Sequence, residues 1–175
     1  KTGDVLKKIP TEETIVKNKF VNTLSQDKES TLFLNTYGSL YSINNETMKI
    51  NWFQNMNQTF DINPGNLFSG NEIINNKDKI VITSNEFIYV LDIKTGYIEQ
   101  KKNISSIIKP IIIDDYLFLV TSNNLLIALD LYKGDIIYSY DINEKISNFY
   151  NIKKKQVLFK NILFANDNVY IFLQN

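Results

Sequence analysis

The feature that most constrains the fold of this chain is an internal repeat. Three stretches can be laid over one another as a strand, a short turn, a second strand, an Asp or Asn, another turn and a third strand. They are residues 31–52, 79–99 and 116–138. Repeats of this length predict a stacked or circular architecture in which neighbouring units cover one another.

Each repeat carries an Asp or Asn after its second strand and a turn residue four positions later. These pairs are Asn44 with Met48, Asp92 with Gly96, and Asp130 with Gly134. Such an Asp can accept backbone hydrogen bonds, and Gly adopts positive φ without steric penalty. We interpret Asp92 and Asp130 as turn residues, with a catalytic carboxylate as the alternative. Where Met48 replaces Gly, we expect a less strained turn or a one-residue bulge.

The strand pattern predicts an all-β chain. In the third repeat the expected strands are residues 110–113, 116–121, 125–130 and 136–140, which make one four-stranded antiparallel blade. Two of them are apolar at nearly every position, so both faces need a cover. A blade between two other blades meets that need, whereas a β-sandwich exposes one face of each sheet. A β-solenoid is the remaining rival, although its coils are generally shorter.

The repeats predict a single partial β-propeller domain of about four blades. Residues 1–6 match the turn and strand at 94–98, and residues 162–173 match the first two strands of a further repeat, so we expect a segment of a longer protein. The predicted division is 1–10 (end of a blade), 11–60, 61–104 and 105–145 (blades), and 146–175 (start of a blade). The Asn-rich stretch 54–66 is the expected insertion.

Charge and composition narrow the classes of function. The 19 basic and 19 acidic residues cancel, and the chain has no His and no Cys. A balanced charge does not predict a nucleic-acid-binding face. Mechanisms that need a His base or a Cys nucleophile are excluded within this segment. No apolar run approaches the roughly 20 residues of a transmembrane helix.

Few other residues suggest a site. Asp114 and Asp115 could form an acid pair, but adjacent residues at a tight turn point apart. The run of lysines at 153–155 is interpreted as a solvated loop. Phe60, within the Asn-rich stretch, and Phe68, just after it, are candidate partner anchors, with packing between blades as the alternative. We assign no catalytic, cofactor-binding or metal-binding residue and expect no cofactor.

The motif Leu-Asp-x-x-x-Gly between strands resembles the repeat of propellers named after pyrroloquinoline quinone. The matching stretches are residues 89–96 and 127–134, with a degenerate copy at 41–44 in which Trp52 closes the last strand. One branch of that family comprises quinone-dependent dehydrogenases, which have Trp-rich blade contacts and often a vicinal Cys pair. This chain has one Trp and no Cys.

The second branch comprises outer-membrane assembly lipoproteins of the BamB type, which are non-catalytic scaffolds. The resemblance implies a protein partner, an outer-membrane barrel assembly factor, that binds loops at one rim of the ring. It also implies a place at the periplasmic face of the outer membrane of a Gram-negative bacterium, with a lipid anchor on the parent protein. We therefore expect a scaffold that is not an enzyme. The alternative is a fragment of a quinone-dependent dehydrogenase.

Overall fold

The chain folds into four antiparallel sheets that follow one another in sequence. The computed structural model describes residues 2–5, 7–11, 22–57, 68, 70, 72–84, 86–106, 108–153 and 157–174. The first sheet comprises β1 (Thr23–Gln26), β2 (Ser30–Leu34), β3 (Ser39–Asn44) and β4 (Ile50–Asn55). The second comprises β5 (Ile74–Asn76), β6 (Lys79–Thr83), β7 (Ile88–Asp92) and β8 (Ile98–Lys102).

The third and fourth sheets continue this arrangement. The third comprises β9 (Ile111–Ile113), β10 (Tyr116–Val120), β11 (Leu125–Asp130) and β12 (Ile136–Asp141). The fourth pairs β13 (Phe159–Ala165) with β14 (Asn168–Leu173). Strands of each sheet pair in chain order, as hairpin connections require. The strands predicted for the third repeat are confirmed to within one residue.

One helix, α1 (Ile142–Tyr150), separates the third and fourth sheets and was not expected from the weak helical periodicity. Its first turn is held by Asp141, whose side chain accepts a hydrogen bond of 3.0 Å from the backbone N–H of Glu144. An Asp followed three residues later by Glu is a known signature of a helix start. The sequence therefore contained the signal for this helix.

Three apolar cores lie between consecutive sheets. The first joins sheets one and two around Leu32, Leu40, Ile80 and Ile82. The second joins sheets two and three around Val81, Val90, Leu117 and Leu129. The third joins sheet three to the β13–β14 pair around Val120, Phe159 and Ile162.

Neighbouring residues of one strand reach different cores. Ile80 and Ile82 of β6 face the first sheet, whereas Val81 between them faces the third. Successive side chains of a strand point to opposite faces, so a strand covered on both sides must be apolar throughout. In the third sheet, Leu117 and Leu119 of β10 lie in the second core and Val120 lies in the third, so the expectation that both faces of these strands are covered is confirmed.

Antiparallel pairing places two kinds of loop at opposite ends of the sheets. The turn end carries the first and third turns of each sheet, which include the Asn44, Asp92 and Asp130 turns. The connection end carries the second hairpins, residues 35–38, 84–87 and 121–124, together with the links between sheets. The backbone N–H of Phe68, in the first link, donates to the carbonyl of Thr36 in the first hairpin at 2.9 Å.

Candidate interaction surface

At the turn end, side-chain oxygens close the repeated turns. The acceptor contacts are Asn44 Oδ1 to the N–H and hydroxyl of Thr47 (2.7 and 3.0 Å), Asp92 Oδ1 to the N–H and hydroxyl of Thr95 (2.8 and 2.7 Å), and Asp130 Oδ1 to the N–H groups of Tyr132 and Lys133 (2.9 and 3.0 Å). The interpretation of Asp92 and Asp130 as turn residues is confirmed.

The same contacts stabilise the ionised form of both carboxyls. The Thr95 hydroxyl lowers the pKa of Asp92 from its ordinary value, with backbone N–H groups adding to the effect. The backbone N–H of Lys133 is the main cause that lowers the pKa of Asp130. A lowered pKa suits a permanent hydrogen-bond acceptor, whereas a general acid needs a raised one.

Met48 corrects one expectation, because its turn has the geometry of the other two. Its φ is 55°, beside 72° at Gly96 and 77° at Gly134, and its N–H donates to the carbonyl of Asn44 at 2.9 Å as the glycines do to theirs. The two strands that flank the turn show a one-residue register shift in all three sheets, so the shift does not compensate for the missing Gly. The Met backbone itself adopts the left-handed conformation.

In each of the first two sheets, a side chain of the last strand donates to a turn of the next sheet. Trp52 Nε1 donates to the carbonyl of Ile93 at 3.0 Å, and Gln100 Nε2 donates to the carbonyl of Leu131 at 2.8 Å. Trp52 lies four residues after Met48, and Gln100 lies four residues after Gly96. Each acceptor carbonyl belongs to the residue directly after the turn Asp of the next sheet. Gln100 therefore replaces Trp52 in the same structural role. Lys7, four residues after Gly3, donates to the carbonyl of Thr47 at 2.9 Å.

Trp52 lies within β4 and not at its end, because the strand continues to Asn55. Its ring packs against the first core and covers Gly96 so closely that a Cβ atom there would lie 2.4 Å from a ring carbon. At Gly134 the corresponding neighbour is Gln100, with Oε1 at 2.6 Å from such a Cβ. Trp52 is therefore a packing residue between the first two sheets.

The connection end is built from hairpins that short polar side chains hold in place. Asn35 Oδ1 accepts from the N–H groups of Tyr37 and Ser39, both at 3.0 Å. Ser84 Oγ accepts from the N–H of Phe87 at 3.0 Å, and Thr121 Oγ1 accepts from the N–H of Leu125 at 3.1 Å. Each of these residues directly follows the second strand of its sheet. The hairpins are therefore rigid supports for the loops around them.

Aromatic and basic side chains meet at this end of the second sheet. Lys101 Nζ lies 4.2 Å from the ring centre of Phe87 and 5.5 Å from that of Tyr89. Burial raises the pKa of the Tyr89 hydroxyl, and Glu86 adds to the effect. Cation–π contacts of this kind fix a lysine in place while leaving its charge in contact with water. The result is an exposed lysine held over a half-buried Phe87 and a buried Tyr89.

Of the two candidate partner anchors, the structure describes only Phe68. Phe68 is half-buried and packs against the first core, with its ring centre 6.0 Å from that of Tyr89. The structure therefore places Phe68 in packing between sheets. Phe60 lies outside the described residues, as does most of the Asn-rich stretch.

The remaining candidates do not converge on one site. Asp114 has a φ of 52° at the turn between β9 and β10, and its carbonyl accepts a hydrogen bond from the Asn76 amide at 2.9 Å. The carbonyl of Asp115 accepts from the N–H of Leu131 at 2.9 Å. Lys153 is exposed after α1, and the two lysines after it lie outside the described residues. Both Asp residues thus use their backbones to build the turn end.

Among the described residues, no cluster of three or more Asp, Glu, His or Cys side chains is placed to hold a metal ion. Within the same part of the chain, no helix has the length and apolar character that a bilayer span requires.

Neither family profiles nor curated proteins match the chain. Solved structures do. The β-propeller domain of Cps50 (Swd1) from Myceliophteria thermophila matches with a TM-score of 0.53 and 14% identity over 71% of this chain and 44% of that chain. These sheets form part of a β-propeller.

Two further structures extend the likeness of this propeller. BamB from Moraxella catarrhalis matches with a TM-score of 0.64 and 14% identity over 90% of this chain and 45% of that chain. Quinohemoprotein alcohol dehydrogenase from Comamonas testosteroni matches with a TM-score of 0.53 and 12% identity over 67% and 20% of the two chains. The propeller described here spans less than half of either structure. At these identities the likeness concerns the fold, which hosts many activities.

Proposed function

We propose that this propeller is a non-catalytic scaffold that binds protein partners, as a subunit of outer-membrane β-barrel assembly at the periplasmic face of that membrane. One observation carries the proposal. The repeated carboxylates at the turn end are engaged in closing turns, whereas the connection end holds exposed side chains that the repeat does not require. A scaffold needs a rigid surface of this kind and no reacting groups.

The partner surface lies on the hairpins of the connection end. Glu86 is exposed in the 84–87 hairpin of the second sheet, directly before Phe87, whose ring the Lys101 side chain covers. Ser105 and Ser122 share a hydrogen bond of 2.8 Å between the second and third sheets at the same end. In protein–protein interfaces, aromatic residues and the charged residues next to them often contribute most to the binding free energy. The likeness to BamB supports this choice of function at the level of fold.

Site-specific cross-linking in the intact parent protein tests the proposal. A photo-reactive residue replaces Glu86 at the connection end, and in a matched control it replaces Tyr97, which is exposed at the turn end of the same sheet. We expect cross-linking from position 86 to a barrel-assembly subunit, identified by mass spectrometry of the membrane fraction. Equal cross-linking from both positions, or none from position 86, would contradict the proposed surface.

The alternative is a segment of a quinone-dependent dehydrogenase, and it rests on the likeness to the Comamonas enzyme. The two functions differ in what the purified parent protein carries. A quinone chromophore in its absorption spectrum, released on denaturation, would favour the dehydrogenase. Co-purification of a barrel-assembly subunit without a chromophore is the outcome that we expect.

A further inference from the structure

Two aromatic side chains stand out from the surface at the end of α1. Phe149 is 82% exposed and Tyr150 is 65% exposed, and their rings meet edge to face with centres 5.0 Å apart. Ile152 directly after the helix is 53% exposed. Exposed large apolar side chains that cluster in this way mark a surface for an apolar partner or phase. We call Phe149, Tyr150 and Ile152 the apolar tip.

The apolar tip is held by a firmly anchored helix. Ile142 and Ile146 of α1 pack against the third core, and the Asn124 side chain donates to Asn143 Oδ1 at 3.2 Å. At the other end Asn151 takes the left-handed conformation with a φ of 53°, and the N–H of Ile152 donates to the carbonyl of Ser147 at 3.0 Å. This is a regular helix C-cap, so the tip has a fixed direction.

The charge around the apolar tip is one-sided. Residues 145–166 include five Lys and no Asp or Glu, although the chain as a whole has no net charge. The three lysines of this stretch that the structure describes, Lys145, Lys153 and Lys160, are all exposed. Lys145 Nζ lies 5.3 Å from the ring centre of Tyr140, on the last strand before α1. Lys145 lies one helical turn before Phe149, and Lys153 directly follows Ile152, so exposed lysines flank the tip. The nearest acidic residue in sequence is Glu144, in the first turn of α1.

We propose that the apolar tip binds the surface of an anionic lipid bilayer. Aromatic and aliphatic side chains enter the boundary between headgroups and acyl chains, while nearby lysines attract anionic headgroups. The apolar tip supplies the first element, and Lys145 and Lys153 supply the second. The charge asymmetry is the reason to favour lipid over a protein pocket, because a negatively charged bilayer complements both elements at once.

Vesicle flotation with the whole 175-residue chain tests this proposal, because flotation separates lipid-bound protein from aggregates. The probes are vesicles of phosphatidylcholine alone and vesicles of equal parts phosphatidylcholine and phosphatidylglycerol. We expect flotation with the mixed vesicles only. The double substitution Phe149→Ser and Tyr150→Ser should weaken partitioning by about tenfold or more, as expected when aromatic side chains that would enter the bilayer are lost. Lys153→Gln should weaken it about fivefold.

Matched control substitutions are available at the turn end of the second sheet, which does not contain the apolar tip. Tyr97 is 70% exposed and Lys94 is exposed, so Tyr97→Ser and Lys94→Gln change the same chemistry away from the apolar tip and should leave flotation unchanged. Circular dichroism confirms that each variant keeps its strand content. If the double variant floated as well as the unsubstituted chain, the chain would be attracted to the anionic surface without inserting its aromatic side chains, which would overturn the proposal. No flotation with mixed vesicles, or cross-linking of position 150 to a protein in place of lipid, would also overturn the proposal.

Discussion

Met48 has a backbone conformation that costs free energy for any residue with a side chain. Its φ of 55° lies in the left-handed region, where the cost is about 1–2 kcal/mol, partly offset in a Gly variant by the greater freedom of the unfolded chain. We expect Met48→Gly to raise the free energy of unfolding by about 0.5–1 kcal/mol, measured in urea. Met48→Ala keeps the Cβ atom and should give no such gain. A gain from Ala equal to that from Gly would mean that backbone strain is not the cause.

Asp92 gives the second turn a dependence on pH. Its pKa in the folded chain is lowered, so its contribution to stability is complete above its ordinary pKa of about 3.9 and is lost as the pH falls through the lower folded value. Asn44 makes the same turn contacts without a charge. We therefore expect Asp92→Asn to keep the turn but to reduce the loss of stability below pH of about 4, measured by urea unfolding across acidic pH.

The appropriate comparison for that variant is Asp92→Ala, which removes the acceptor. It should lower stability at neutral pH as well, because the N–H of Thr95 loses its partner. If the Asn and Ala variants behaved alike at neutral pH, the Asp92 side chain would not be closing this turn.

At the scale of elements, β4 and the second sheet are coupled through Trp52 and Gly96. A Cβ at Gly96 would overlap the Trp52 ring and would also sit at a φ of 72°. We expect Gly96→Ala to lower the free energy of unfolding by about 2–4 kcal/mol. Against a Trp52→Ala background only the backbone strain of about 1 kcal/mol should remain. A urea-unfolding double-mutant cycle measures the difference.

Gly134 offers a matched comparison for that cycle. Its neighbour is the flexible end of Gln100, which can move aside where the Trp52 ring cannot. Gly134→Ala should therefore lower stability less than Gly96→Ala does. Equal losses at the two positions would show that strain at positive φ, and not contact with the neighbouring sheet, decides both.

Phe68 connects the link after the first sheet to the first core. Its half-buried ring contacts the Tyr89 ring and covers Gly38 and Gly70. We expect Phe68→Ala to lower the free energy of unfolding by about 2 kcal/mol, roughly half the cost of removing a fully buried Phe. Phe53→Ala, at an exposed site on β4, should cost less. If Phe68→Ala left the free energy of unfolding unchanged, Phe68 would again be a candidate partner anchor.

At the scale of the whole molecule, the fourth sheet presents an uncovered apolar face. The side chains of this face include Leu163, Tyr170 and Phe172, all at least one-third exposed. Tyr138 and Tyr140 on β12 are also exposed on the side toward that sheet. Surfaces of this kind associate in water. We expect the isolated chain to self-associate with rising concentration in light scattering, and Leu163→Lys with Phe172→Lys to reduce this. A sharp, reversible melt of a monomer would contradict the expectation.

The sequence alone determined the repeat, the all-β class, the order of strands within a blade and the turn role of Asp92 and Asp130. These depend on local pattern, namely apolar runs, Asp and Gly at fixed offsets and hairpin length. It also contained the start signal of α1 at Asp141 and Glu144, which the weak helical periodicity concealed. The predicted limits of the blades remain predictions.

Only the tertiary structure decided which residue plays which part between sheets. Trp52 and Gln100 differ in chemistry, so their common role as donors to the next turn appears only when the sheets are stacked. Phe68 and Phe149 are both aromatic residues outside strands, yet one packs in a core and the other is exposed. Local pattern fixes hydrogen bonding within a sheet, whereas contacts between sheets join residues far apart in sequence and depend on the shape of both surfaces.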